Sequence, residues 1–403
     1  MKTFNLSIAI LSFAIIALGL FYKRLKKSSF NETLLSMLIG IALSPFVFDV
    51  LDINDWGNKE DIMDKACRLT LAMALMATAF RIPVKYIYNN KGMQATLLLL
   101  VMPAMFLTSA IIIHFIAGVG WQLSLLIGAC VTPTDPVLAG TIITGEKAEE
   151  SLSKKMRDTI SFEAGANDGL AFPFVMLCLL LIENKSDIWQ YWSTKIILQE
   201  TLGAIVIGVA LGYIFGKMLS FCISKNFTSK PAILAFALSV AFFVLTALEF
   251  IHVNSILAIF IVGLMLNKTL SKQEDIEEEN IQEMMARLFT IPIFVFFGLI
   301  IPWHQWFALG WVAVAVPVLI LLFRRLPFLL LFKPLLKEFT TKDLAFIGWF
   351  GPMGIAALFY CFLSYDRLHT EIIWTLTSLI VFSSVVVHGM SAYPLLKLYG
   401  KKR

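Results

Sequence analysis

Apolar runs of about twenty residues recur along this chain from one end to the other. Each is long enough to cross a ~30 Å hydrocarbon layer as a helix, and hydrocarbon leaves a backbone nothing but its own groups to bond with. Thirteen runs are read, at residues 4 to 22, 31 to 51, 65 to 81, 92 to 117, 121 to 145, 158 to 182, 196 to 220, 230 to 251, 254 to 268, 288 to 303, 307 to 332, 343 to 364 and 370 to 392. The expected fold class is therefore all-α, a polytopic membrane protein with about 13 transmembrane helices. Of the 403 residues 58% are hydrophobic and 15% charged, and a soluble globule with that balance would expose far too much apolar surface. No stretch between the runs is long enough for a soluble domain and the tail "KLYGKKR" is short, so residues 1–403 are expected to form a single membrane domain without a soluble regulatory domain.

Lys and Arg assign the orientation, since they collect in the cytoplasmic loops. Most of the 33 fall after helices 1, 3, 5, 7, 9 and 11 and at the C-terminus, whereas the opposite side holds Lys2, Lys59, Lys65, Lys185, Lys195 and Arg367. The N-terminus is expected outside and the C-terminus in the cytoplasm. The first run is read as a spanning helix rather than a signal peptide, because its basic cluster Lys23, Arg24, Lys26 and Lys27 follows it and no small-residue cleavage site appears. The net charge of +5 is then a topology signal and no nucleic-acid partner is expected. Cys67, Cys130, Cys178, Cys222 and Cys361 lack metal-type spacing and read as packing residues. The acidic run "EDIEEEN" at 274 to 280 reads as a solvated linker.

Two runs are interrupted. In "VTPTDPVLAG", Pro133 and Pro136 each remove an N–H and free the carbonyl four residues back, at Ala129 and Thr132, so the helix is expected to unwind. Asp135 then falls at the N-cap of the second half-helix with Pro136 at its first position. In "IGWFGPMGIAALF", Gly348, Gly351, Pro352 and Gly354 interrupt a second run seven helices later. Paired interrupted segments in the two halves of a chain, running in opposite directions, point to the midplane site of an inverted-repeat transporter.

The stretch "SFEAGANDGL" at 161 to 170 puts Glu163, Asn167 and Asp168 inside an apolar helix. Glu163 and Asn167 share a face and Asp168 projects about 100° further round. A carboxylate at that depth is costly, so each must face a cavity or a partner. An amide and an acid beside unwound backbone make a set of hard oxygen ligands for a small cation. Arg324 and Arg325, in "LLFRRLPFLLL", are the candidate counter-charges to Glu163, with snorkelling to the interface as the alternative for either. If the pair forms, Asp168 is the carboxylate left to titrate. His388 and Arg81 lie near the ends of their runs and read as caps or interface anchors, and Glu249 reads as lining an entrance. His114, His252, His304 and His369 have no metal-ligand spacing.

Together "TPTDPVLAGTI", "SFEAGANDGLAFPF", "RRLP", "IGWFGPMGIAAL" and "VVVHGMSAYPL" resemble the sodium/proton antiporters of the monovalent cation:proton antiporter-1 family, the NhaP type and its fungal plasma-membrane relatives. The motifs span residues 131 to 395, and the first half matches in spacing and hydropathy. The resemblance implies an inverted-repeat antiporter fold with two crossed discontinuous helices, in a homodimer whose core domain moves against a dimerisation domain. It places Thr134 and Asp135, with Thr132 beside them, at the unwound crossing, makes Asp168 the carboxylate that binds proton or transported Na+, has Asn167 steady the unwound stretch, and pairs Glu163 with Arg324 or Arg325. It implies secondary transport rather than enzymatic chemistry, with no cofactor; the partners are a monovalent cation, the proton, the bilayer of the cell membrane and a second copy of the chain. The long cytoplasmic tail of many eukaryotic relatives is expected to be absent. Exchange is expected to be electroneutral, since electrogenic relatives carry a second aspartate where this chain has Asn167. A sodium-coupled solute symporter of similar fold is the alternative. An intramembrane aspartyl protease using Asp135 and Asp168 is a poorer one, since the flanking motifs of such enzymes are absent.

Overall fold

Local chemistry sets most helix boundaries. The computed structural model of the protein describes residues 9–10, 12–13, 15–17, 19–20, 31–270 and 278–400, and every regular element among them is helical. Helix α1 (Glu32–Leu43) is capped by the Asn31 side chain on the Leu34 amide and ends at Ser44, which Pro45 forces into an extended conformation. The second run was expected to continue to residue 51; it stops eight residues earlier for that reason. Helix α2 (Lys59–Arg81) starts at the Asn58 cap and carries charges through its N-terminal half. Helix α3 (Lys91–Ala117) closes on Gly118 at φ +66°.

The fifth run divides into α4 (Trp121–Cys130) and α5 (Pro136–Ile143). Next come α6 (Lys154–Leu170) and α7 (Phe172–Ile182), joined at Ala171, and then α8 (Ile188–Ser224), α9 (Lys230–Phe250), α10 (Ser255–Leu270) and α11 (Glu278–Leu299). The eleventh run is not continuous, as expected from hydropathy alone, but breaks at Arg324 and Arg325 between α12 (Val312–Phe323) and α13 (Leu326–Leu331). The twelfth divides into α14 (Thr341–Trp349), which opens on a Thr340–Asp343 capping box, and α15 (Ile355–Leu368). Helix α16 (Glu371–Gly400) runs eight residues past the expected end and takes in most of the C-terminal tail. Five of the described helical runs are long and apolar enough to cross a membrane, and others are shorter or, like α2, carry more charges. The first run and the "EDIEEEN" segment lie largely outside the described residues.

Packing sorts the helices into two groups. Helices α1, α2, α8, α9, α10 and α11 pack mainly on one another; α3, α4, α7 and α12 to α16 form the second group, with α5 lying on α16. In the first group Gly208, Gly212 and Gly216 of α8 let its backbone lie directly on Ile261, Val262, Met265 and Thr269 of α10. The groups meet along a seam at helix α6, which touches α2 and α10 on one side and α5 on the other, and where α15 lies on α2.

Candidate functional site

Two unwound stretches cross at the seam: residues 131–135 between α4 and α5, and residues 350–354 between α14 and α15. The Asp135 amide donates to the Pro352 carbonyl at 2.7 Å, which fixes the crossing. Asp135 is buried, and its Oδ1 accepts the amides of Val137 at 2.7 Å and Leu138 at 3.1 Å, capping α5. Its Oδ2 accepts the Ile355 amide at 2.8 Å, capping α15 as well. One carboxylate thus sits on the positive ends of both second half-helices. At Gly354 a β-carbon would lie 2.0 Å from that Oδ2, so only glycine admits the contact.

Arg324 does the converse. Its Nη1 donates to the carbonyls of Val131 and Thr132, the latter at 3.3 Å, and its Nη2 to the Gly351 carbonyl at 2.6 Å. These carbonyls follow the C-terminal ends of α4 and α14, where helix dipoles favour a cation. Of the two carbonyls expected to be freed by the prolines, Thr132 is taken up by Arg324, whereas Ala129 accepts the Thr132 amide at 3.2 Å. The Thr132 hydroxyl turns back to the Gly128 carbonyl at 2.7 Å. Snorkelling holds for neither arginine, since Arg324 is 2% and Arg325 3% exposed.

Arg325 pairs with Glu163 on α6 through both arms of its fork, Nη2 donating to Oε2 at 2.8 Å and Nη1 lying 2.7 Å from Oε1 as an ion-pair contact outside hydrogen-bond geometry. One turn on, the Asn167 side chain accepts the Thr134 amide at 3.0 Å and donates to the Thr134 hydroxyl at 2.8 Å, pinning the unwound stretch to α6. Asp168 follows. It is 0% exposed, and neither carboxylate oxygen meets a hydrogen-bond donor among the described residues. Pro133 lies in the first unwound stretch and Pro136 opens α5, Gly351, Pro352 and Gly354 lie in the second stretch, and Gly348 admits Leu326, whose Cδ1 lies 2.8 Å from where a β-carbon would be.

Two supporting residues, Tyr360 and Ser384, escaped the sequence reading, and a third, His388, reads there as a cap or an anchor. Tyr360 on α15 donates to the main-chain carbonyl of Asp168 at 2.5 Å; a lone tyrosine in the apolar run "IAALFYCF" signals a buried partner. Ser384 on α16 accepts the Met353 amide at 2.7 Å. His388, one turn later, contacts the Trp349 carbonyl through Nε2 at 2.9 Å and the Ser384 carbonyl through Nδ1 at 2.9 Å. It sits well inside α16 rather than near its end, and it satisfies the end of α14, not of its own helix. Away from the crossing, Glu249 at the C-terminal end of α9 pairs with Arg68 of α2 at 2.5 Å, and Arg81 reaches the Thr78 hydroxyl at 3.2 Å. Four of the cysteines are buried and Cys222 is half-buried.

Every other charge at the crossing is matched: Glu163 by Arg325, and Asp135 and Arg324 by helix ends. Asp168 is the acid without a counter-charge in contact. The same two oxygens suit a proton or a small cation.

A family model described as "Sodium/hydrogen exchanger, transmembrane" matches residues 8–398. An Na(+)/H(+) antiporter of Schizosaccharomyces pombe is 28% identical over 406 residues, covering 93% of this chain and 86% of that protein. An Na(+)/H(+) antiporter of Saccharomyces cerevisiae is 27% identical over 401 residues, covering 91% of this chain; the chain spans 40% of the length of that relative. The fold is that of the sodium proton antiporter MjNhaP1 from Methanocaldococcus jannaschii, with a TM-score of 0.75 at 18% identity and 99% coverage of both chains.

Proposed function

We propose that this chain, which belongs to the sodium/hydrogen exchanger family, exchanges Na+ or another monovalent cation for H+ across the cell membrane as a single membrane domain. The observation that carries the proposal is Asp168, fully buried with both oxygens unpartnered beside two crossed unwound segments. A bare carboxylate there costs several kcal/mol, so the site is stable when it holds a proton or a cation and is hindered from moving when it holds neither. Only one ligand at a time neutralises one charge. The two therefore compete, and movement of the loaded site between the two sides exchanges them.

The other residues hold the device in shape. Arg324 and Asp135 fix the unwound segments, Asn167 ties Thr134 to α6, and Glu163 is held by Arg325. Thr132 and Thr134 supply neutral oxygens near the crossing. In this reading Asp135 shapes the site first, because its oxygens already accept three backbone amides. The distribution of Lys and Arg supports an outer N-terminus and a cytoplasmic C-terminus, and the resemblance of the motifs to the antiporter family is the ground for expecting a homodimer in the bilayer.

The test is an exchange assay in proteoliposomes with an internal pH dye. Addition of Na+, Li+ or K+ is expected to move protons in the wild type and not in Asp168→Asn, which keeps the shape and cannot titrate. Normal exchange by a folded Asp168→Asn removes the residue from the mechanism. Cation-driven uptake of an organic solute would instead support a symporter.

A further inference from the structure

Helix α6 carries Glu163, Asn167 and Asp168 and ends in a kink whose cause is Pro173. Proline has no N–H, so the carbonyl of Gly169, four residues back, loses its helical donor. The regular element ends at Leu170 and the next opens at Phe172, while the Ala171 amide between them keeps its helical bond to the Asn167 carbonyl at 2.9 Å. Side chains from two other helices take up the carbonyls around the kink. Tyr360 bonds that of Asp168, and its hydroxyl also faces the Phe172 amide, so it is inserted into the helical ladder. Asn254 donates from Nδ2 to the Gly169 carbonyl at 2.9 Å.

Asn254 is 6% exposed and is itself held. Its Oδ1 accepts the Leu257 amide at 3.0 Å, capping the start of α10, and its own amide donates to the Glu200 carbonyl at 3.1 Å. The donor is therefore aimed rather than free to swing. It belongs to the α10 group, whereas Tyr360 and the ties through Glu163 and Asn167 belong to the crossing. Elsewhere the face of α6 towards α10 is apolar and closely packed: β-carbons at Gly165 and Gly169 would lie 2.3 Å from the Phe260 ring and 2.7 Å from the Leu257 Cα. Asn254 is the polar contact at the end of this apolar face.

We propose that Asn254 is a positioning residue for exchange, a releasable pin that holds the Asp168 segment against the α10 group in the access state seen here and lets go as the site turns to the other side. The inference rests on the exchange reading above. Without the pin the Gly169 carbonyl has to be hydrated, which favours whichever state brings it to water. The pin thus sets the balance of access states without touching the cation.

The test is a cycle of four proteins: wild type, Asn254→Ser, Pro173→Ala and the double variant. Serine keeps an oxygen to cap α10 but is too short to reach Gly169. The Michaelis constant for Na+ is measured from each face of oriented proteoliposomes. Asn254→Ser is expected to raise it on one face and lower it on the other, shifting their ratio roughly threefold to tenfold, the equilibrium weight of one hydrogen bond. Pro173→Ala returns a helical amide to the Gly169 carbonyl, so adding Asn254→Ser in that background is expected to change the ratio less than about twofold. An unchanged ratio, equal scaling on both faces, or additive effects in the double variant would overturn the pin. If the wild type exchanges no cation, the exchange reading fails on its own and deuterium uptake across residues 165 to 172 judges the contact. Faster uptake in Asn254→Ser, suppressed by Pro173→Ala, supports the pin, and equal uptake refutes it.

Discussion

Asp135 and Ile355 lie 220 positions apart, yet the carboxylate of one accepts the backbone amide of the other at 2.8 Å. The bond makes a single residue the cap of half-helices from both halves of the chain, and it sets what position 354 tolerates. Gly354→Ala is expected to push Oδ2 away, cost about 1–3 kcal/mol of stability and lower exchange at least about tenfold. Gly140→Ala, where a β-carbon meets nothing within 4 Å, is the matched control. Thermal melts and initial exchange rates check both; equal behaviour of the two variants would mean that the double cap is dispensable.

Glu163→Ala strands a buried guanidinium, because the fork with Arg325 is its carboxylate contact. Removing one partner of a buried pair costs about 3–5 kcal/mol, so the variant is expected to melt well below the wild type while the surviving folded fraction binds the cation with little change. Unchanged melting would show that Arg325 finds another partner.

Orientation is checked by labelling. Cysteine introduced by Glu150→Cys is expected to be shielded from an impermeant reagent added outside cells, and that from Lys185→Cys to react, both positions being exposed. The opposite pattern inverts the topology.

With Glu163 neutralised by Arg325 and an amide at Asn167, one titrating carboxylate carries one charge per ligand. An imposed membrane potential is expected to leave the initial exchange rate unaltered. Acceleration by voltage, or a measurable current, means that a second charge moves in each cycle.

The breaks at 131–135 and 350–354 were legible because Pro133, Pro136 and Pro352 remove donors that no helix can replace. Asp135 as a cap was legible for the same local reason. Its second half-helix was not, since nothing in "TPTDP" names the amide of Ile355. Likewise two adjacent arginines read alike in sequence; only the break at 324–325 turns Arg325 towards Glu163 and Arg324 towards the carbonyls of Val131, Thr132 and Gly351. Pro173 leaves the Gly169 carbonyl without a helical donor, a consequence the sequence reading did not draw, and the donor that takes it up, Asn254, sits 85 residues away. Hydropathy overran the second helix because Pro45 stops it while the apolar residues continue.

The central claim is that proton and cation occupy the same carboxylate, and proton release on binding tests it most directly. Purified protein in weakly buffered solution, titrated with Na+, is expected to release about one proton per cation bound. The apparent cation affinity should fall up to about tenfold per pH unit as protons come to hold the site. Folded Asp168→Asn is expected to release none. Cation binding without proton release, or release that persists undiminished in Asp168→Asn, would contradict the account.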